Sequence, residues 1–335
     1  MKNYQSLLIG IALVLLLTSH VTTSLAQRRP NTRFSPYSSI TFGAGSSHYY
    51  GDLAGYRRAI RSTYIMPRWN VGLGYTRQFT PHFAARAMFT YARIAGDDYT
   101  FNKNNVEKYA IQYARNLHFR NDLKEFALTG LYNFVADGRN SNVRAKFTPY
   151  VFGGVALLAH SPEARTPAPP DNEPYEARRW AKLQPLRTEG QGQPGRAKPY
   201  SLVTVAIPVG IGARYMINEL FNVGVEVGYR YTFSDHLDDV SGNGYGDPAT
   251  REGLATKLAD RRFQTIVARQ ANGPDRYAIL KELFDTGSPE RKALIQQSLE
   301  TPVRGGNGLL RDGYVLTNIS IQYVIPGKIK CPPTK

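Results

Sequence analysis

The sequence has 335 residues, a formal net charge of +16, a single cysteine, and 22 Tyr, 15 Phe and 30 Gly. One cysteine excludes an internal disulfide framework, and past residue 27 no apolar run reaches the ~20 residues that a membrane-spanning helix needs. Abundant aromatic and glycine residues without helical spans point instead to short strands and tight turns.

The chain opens with Lys2, an apolar run from Leu7 to Leu17 and a polar stretch ending Ser24-Leu25-Ala26. This order predicts a cleaved secretory signal over 1–26, with no cysteine near the cut to accept a lipid. The mature chain, 27–335, is then an exported protein, which argues against the nucleic-acid partner that a strongly basic balance would suggest in the cytosol. The basic residues form three clusters and no single stripe: Arg28, Arg29 and Arg33; Arg139, Arg144 and Lys146; Lys328, Lys330 and Lys335.

Period-two alternation marks eight strands. Tyr37 to Tyr50 sets Ile40 and Phe42 against Thr41 and Gly43. Arg68 to Phe79 sets Trp69, Val71, Leu73 and Tyr75 against Asn70, Gly72, Gly74 and Thr76. Phe83 to Arg93 opposes Phe83, Phe89 and Tyr91 to Arg86, Met88 and Thr90, and Asp122 to Phe134 opposes Phe126, Leu128 and Tyr132 to Glu125, Ala127 and Thr129. Phe147 to Leu158 is apolar on both faces and has the weakest pattern. Leu202 to Tyr215 carries Val203, Val205, Ile207, Val209 and Ile211 on one face. Phe221 to Phe233 opposes Val223, Val225 and Val227 to Asn222, Gly224 and Glu226, and Tyr314 to Ile325 opposes Val315, Ile319 and Ile321 to Asn318, Ser320 and Gln322.

Each segment supplies the ~9–11 residues of a tilted transmembrane strand, and the number is even, as single-chain bacterial barrels require. Aromatics near the strand ends (Tyr37, Trp69, Phe79, Phe83, Tyr91, Tyr150, Phe221, Tyr229, Phe233 and Tyr314) are expected to form interfacial girdles. A soluble β-sandwich would turn its second face to water and enrich it in Lys, Glu and Ser. Here that face is Gly, Ala, Thr and Asn with isolated Arg86, Glu125, Arg214, Glu226 and Arg230, which suits a narrow lumen. The fold class is therefore an all-β, eight-stranded antiparallel transmembrane barrel of the OmpA/OmpX kind, too narrow for a diffusive channel. Unpaired charge in the lumen is costly, so pairing across neighbouring strands is expected, Arg86 with Glu125 and Arg230 or Arg214 with Glu226.

Short turns (80–82, 135–146, 216–220) alternate with long connections (51–67, 94–121, 159–201, 234–313). That alternation places the short turns and both termini in the periplasm, with all three basic clusters, and the long loops outside. The 159–201 insertion is rich in Pro, Gly, Gln and charge and is expected to be irregular. The last long loop carries helical spacing between Thr250 and Glu300, with Ser288-Pro289 as a helix start, and is expected to form a small helical cap.

Catalytic motifs are weak. Gly43-x-Gly45 fails as a dinucleotide loop, because His48 occupies the third glycine position. The histidines are scattered, no nucleophile elbow is present, and no cofactor is expected. Asp235, Asp238, Asp239 and Asp247 are weak candidates for a hard cation, although their spacing does not fit an EF-hand loop.

The strings SSHYYGDLAG (46–55), RNLHFRNDLKEFALTGLYNF (115–134), TPYVFGGVALLAHSP (148–162), IPVGIGARY (207–215) and VGVEVGYRYTFSDHLDDVSGNGYGD (223–247), with the C-terminal Cys331-Pro332, resemble the outer-membrane barrel family of Bacteroidota that includes PorG of the type IX secretion system. The resemblance spans the mature chain apart from two loops, and it implies a non-enzymatic barrel that associates with a periplasmic ring of PorK- and PorN-like proteins. On that reading Arg139, Arg144, Lys146, Lys328 and Lys330 would dock the ring, the remaining partners being outer-membrane lipid and lipopolysaccharide. The long insertions depart from the family. The leading expectation is a component of or anchor for the type IX secretion machinery, and the alternative is a surface adhesion or envelope-stabilising barrel acting through its long outer loops.

Overall fold

The computed structural model describes residues 34–54, 63–168, 175–242, 244–245, 247, 249, 251–270, 274–300, 304–305 and 311–326. The predicted signal over 1–26, Arg28, Arg29 and Arg33, and Lys328, Lys330, Cys331 and Lys335 lie outside them. Ten strands run in chain order: β1 Tyr37–Tyr50, β2 Arg68–Gln78, β3 Phe83–Asp97, β4 His118–Asn133, β5 Phe147–Ala159, β6 Pro162–Arg165, β7 Trp180–Lys182, β8 Val203–Met216, β9 Phe221–Thr232 and β10 Gly313–Ile325.

Eight of them close into an antiparallel barrel. The sheet runs β3-β2-β1-β10-β9-β8-β5-β4, and β3 pairs back onto β4. The first and last strands meet from Ser38↔Ile325 to Tyr50↔Gly313, and β3 meets β4 from Phe83↔Tyr132 to Asp97↔His118. No barrel edge is left to pair with another chain. The predicted alternation sets the two faces: Leu73, Leu128, Ile211 and Ile319 point outward, while Thr76, Glu125, Thr129 and Asn318 are buried inside. An outward belt of exposed Val, Ile, Leu and Phe on a closed ring is the surface of an outer-membrane barrel, because that face meets lipid and the interior meets itself. At the middle of β10, Ile319→Arg is expected to destabilise the barrel by ~2–4 kcal/mol in lipid. Urea unfolding of the reconstituted protein checks this, with lumen-facing Ser320→Ala as the neutral control.

The girdles differ from expectation in three members. Tyr37, Tyr150 and Tyr314 are buried, since each has the inward parity of its strand. Tyr75, Tyr132, Phe134, Phe147, Tyr215 and Tyr323 hold exposed positions toward the short-turn end, and Trp69, Tyr231 and Phe233 toward the long-loop end.

β3 and β4 run four residues farther than their alternation indicates. Ile94, Ala95, Asp97, His118, Phe119 and Asn121 are all buried, so both faces of this protruding ribbon are covered and no period-two contrast exists to read. Its edge recruits the 159–201 insertion. β6 pairs with β4 at Arg120↔Glu163 and β7 pairs with β6 at Arg165↔Trp180, so part of this segment is strand, while 187–201 keeps the irregular conformation expected from its composition. A strand template supplies what local propensity lacks.

Short helices complete the long-loop end, five of them described over at least five residues. α1 Asp98–Asn102 and α2 Ala110–Arg115 lie between β3 and β4, and α3 Gly253–Ala259, α4 Arg276–Thr286 and α5 Pro289–Glu300 lie in the last loop. Asp97 caps α1 by accepting from the Thr100 amide, and Asp275 caps α4 through the Ala278 amide. Leu237 and Val240 drop into the barrel mouth to share one apolar cluster with Leu123, Leu158, Tyr314 and Leu316.

Candidate functional site

The lumen is filled by side chains. Tyr150 and Phe152 of β5 lie across glycines of β8 and β9: a Cβ would come within 2.6 Å of Tyr150 at Gly212, and within 2.5 and 2.7 Å of Phe152 at Gly210 and Gly228. The small residues of one wall are therefore matched to the rings of another. Arg86 of β3 pairs with Glu226 of β9 and stands 5.0 Å from the Phe152 ring centre. Glu226 also accepts from the Tyr150 hydroxyl at 2.5 Å. Arg230 of β9 pairs with Glu125 of β4 at 3.4 Å, and Tyr314 donates to the same carboxylate.

All five lumen ions sit in the interior, but their partners differ from those expected. Arg86 does not pair with Glu125, neither Arg230 nor Arg214 is the main partner of Glu226, and none of the pairs joins neighbouring strands. In register, Glu125 faces Thr90 and Leu158, and Glu226 faces Gly212 and Asn318. No cation stands alongside either, so each carboxylate is reached by a long arginine from across a narrow lumen. A water-sized space lies against Thr41, Arg86, Arg214 and Glu226.

Arg214 turns to the short-turn end, where it meets Asp137 at 3.3 Å. Asp137 was not singled out in the sequence, since its turn shows no pattern. It accepts from the Tyr37 hydroxyl and from the amides of Gly138 and Ala145 at 3.1 and 3.2 Å. Arg144, expected on a docking rim, is buried beside it. Its guanidinium donates to the carbonyls of Ser141, Glu219 (2.8 Å) and Asn218 (2.9 Å) and to Asn222 Oδ1 (3.0 Å), stitching two turns across the barrel floor. Of the expected docking residues that are described, only Arg139 and Lys146 are exposed.

The long-loop cap holds a second polar network, wholly outside the strands' apolar belt. Asp98 receives Arg115 through two bonds of 2.8 and 2.7 Å and the Leu117 amide at 2.9 Å. Arg304 lies between Asp239 (3.1 Å) and Glu189 (3.5 Å), and burial pushes the Glu189 carboxyl up to about 7 against the pull of Arg304. Asp238 and Asp312 both lie 2.7 Å from the Tyr49 hydroxyl, and each also accepts one backbone amide, from Val240 and Leu237. Burial, and then the charges of Asp312 and Asp52, hold Asp238 well above the usual carboxylate range. Burial with Asp52 and Asp235 does the same to Asp312.

The cation candidates diverge. Asp239 has a left-handed backbone, φ 67°, which turns it away from Asp238 toward Thr188, Tyr200 and Arg304, and Asp247 is taken up at a local turn by the Ala249 amide. Asp235 is pushed up to about 6 by burial and then by Asp52. Among the described residues no group of three such ligands converges. His236 and His160 both stack on the Tyr200 ring, with centroid distances of 4.4 and 6.2 Å. Burial pushes both imidazoles down to about 4. Ser46 Oγ lies 2.8 Å from His48 Nε2, but among the described residues no carboxylate pairs with that ring to complete a triad.

Residues 33–164 match the model of DUF6089, a domain of unknown function. No curated protein sequence matches the chain. Among solved structures, Neisserial surface protein A is similar at 7% identity and a TM-score of 0.37, over 86% of this chain and 98% of that one. Ail, the attachment invasion locus protein of Yersinia pestis, is similar at 9% and 0.33 over 87% and 99%, and OprG of Pseudomonas aeruginosa at 9% and 0.32 over 88% and 99%. This chain is an eight-stranded barrel of outer-membrane type, with ion pairs crossing its lumen and a folded polar cap at the long-loop end.

Proposed function

We propose that this chain is a non-enzymatic outer-membrane barrel that presents its long-loop cap at the cell surface as a rigid binding platform, with the short turns and both termini in the periplasm. The observation that carries this reading is the cap itself. Arginines and aspartates with little or no solvent exposure (Arg115, Arg304, Asp98, Asp239) knit four long connections into one body. Ordering so many loop residues costs conformational entropy, which is offset only if the shape they hold matters. A lumen crossed by salt bridges leaves the cap, and not a pore, as the working part.

Single cysteines placed at Tyr277 in the cap and Asn218 in the floor test the arrangement, in a background with Cys331 replaced by Ser. A membrane-impermeant maleimide on intact cells is expected to label the first and spare the second. Labelling only at Asn218 overturns the reading.

A second reading rests on the resemblance to the secretion-associated barrels and on the exposure of Arg139 and Lys146 at the short-turn rim. In it, the barrel anchors a periplasmic ring of the type IX machinery, and the rim charges supply orientation and association rate more than affinity. Unchanged type IX secretion in a strain lacking the gene counts against it.

A further inference from the structure

One side of the cap gathers positive charge that no carboxylate answers among the described residues. Arg261 is 1% exposed and donates to the Arg165 carbonyl (2.9 Å), to Gln264 Oε1 (3.2 Å) and to the His118 ring at Nδ1 (3.2 Å), but to no carboxylate. Arg178 donates to the Arg269 carbonyl at 2.6 Å, and Arg165 has a buried Nε with no partner. The surrounding ions are already matched, Arg120 with Glu163 at 2.9 Å and Arg269 with Asp97 at 3.9 Å. Elsewhere in the cap a buried guanidinium either meets carboxylates, as Arg115 and Arg304 do, or has its tips covered by main-chain carbonyls, as in Arg276.

His118 makes the imbalance sharper. Its Nε2 faces the Arg165 amide at 3.0 Å while its Nδ1 faces Arg261. A neutral imidazole offers one lone pair and one N–H, so one of these two donors has no acceptor. Burial and the neighbouring Arg178 push the Arg261 guanidinium down to about 9, still charged at neutral pH. Trp180 holds the front of the cluster in place, with Arg120 at 4.0 Å and Arg165 at 5.1 Å from its ring and His118 edge-on at 6.0 Å. Planar guanidiniums fixed on an aromatic face are preorganised for bidentate bonds to oxyanions.

We propose that this face of the cap, formed by Arg165 and Arg178 with Arg261 behind them, binds a phosphate or sulfate monoester. Three guanidiniums that no carboxylate meets among the described residues call for a group that brings more than one negative oxygen, and a tetrahedral ester supplies three acceptors, where a carboxylate supplies two. The proposal deepens the platform reading but is measured independently of it, because binding to the purified barrel does not depend on which way the cap faces in the cell.

The test uses the full mature barrel refolded in zwitterionic detergent and carrying Trp69→Phe, which leaves Trp180 as the sole tryptophan. Inorganic phosphate and glucose 1-phosphate are expected to shift its emission saturably. Arg165→Gln with Arg178→Gln should weaken binding at least tenfold, while Arg139→Gln at the opposite end leaves it unchanged. Heat-dependent mobility in gels confirms that each variant is folded, and Arg178→Gln alone serves if the pair is not. A parallel arm in nanodiscs compares phosphatidic acid with phosphatidylcholine: a shift from the anionic lipid alone, with none from the soluble esters, assigns the ligand to a lipid headgroup, and the reverse to a free ester. A response that is absent for every probe, or equal in parent and double variant, overturns the proposal.

Discussion

Glu226→Gln is expected to be among the most destabilising single changes in the barrel, by about 3–5 kcal/mol, because it leaves Arg86 charged and without its partner in a lumen that water scarcely enters. Arg86 and Glu226 are 5% and 8% exposed, so solvent screening offers little relief, and the Tyr150 hydroxyl loses its anionic acceptor at the same time. The double change Arg86→Met with Glu226→Leu should recover most of that loss, since replacing a buried pair with apolar groups of similar volume is often neutral or stabilising. Urea unfolding of the refolded protein in lipid vesicles measures all three. A Glu226→Gln variant within about 1 kcal/mol of the parent, well below the cost of an orphaned buried charge, would show that the cross-lumen pair does not hold the barrel together.

Tyr49→Phe should loosen the cap and leave the barrel intact. One phenol carries one proton, yet both Asp238 and Asp312 lie against it at 2.7 Å. A second proton must sit on one of the carboxyls for both contacts to be hydrogen bonds. Removing the hydroxyl strands a buried carboxylate acceptor on one side and a buried carboxylic-acid donor on the other, at about 1–3 kcal/mol apiece. Hydrogen–deuterium exchange, corrected for intrinsic rates, should show lost protection over 235–242 with the strands unchanged.

The same pair sets a pH dependence. Both carboxyls are raised in the folded cap, so their contribution is complete below the ordinary carboxylate value near ~4 and is lost as pH climbs through the raised values. The buried histidines act in the opposite sense. His160 and His236 are lowered to about 4, so their contribution is present above the ordinary value near ~6.5 and is lost as pH falls toward 4. Asp312→Asn imitates the protonated acid, and is expected to keep 235–242 protected at pH values where the parent cap opens. Equal opening of parent and variant on the alkaline side would remove the shared proton from the account.

How far the sequence carries can be read from individual residues. Leu73, Phe89, Leu128, Ile211 and Ile319 were legible as outward-facing, and Arg86, Glu125 and Glu226 as inward-facing, because a strand's side-chain period is two and a closed barrel has one wet or filled face and one lipid face. The helices α4 and α5 were legible from their apolar spacing and from Ser288-Pro289. Tyr37 and Tyr314 were misplaced in a girdle because their position near a strand end was weighed above their parity. The turns of α1 and α2, one to two turns long, carry too little spacing to register.

By itself, then, the order of residues determined the number of barrel strands, the two faces, the alternation of short turns with long loops, and the presence of charge in the lumen, since all of these follow from local periodicity. Only the tertiary structure decided which arginine meets which carboxylate, that Arg144 is drawn into the floor while Arg139 and Lys146 stay out, that the Pro-rich insertion pairs with a protruding ribbon, and that Arg165, Arg178 and Arg261 converge. These depend on distances across the lumen and between loops far apart in the chain. Nothing in local sequence encodes such separations until the ring has closed.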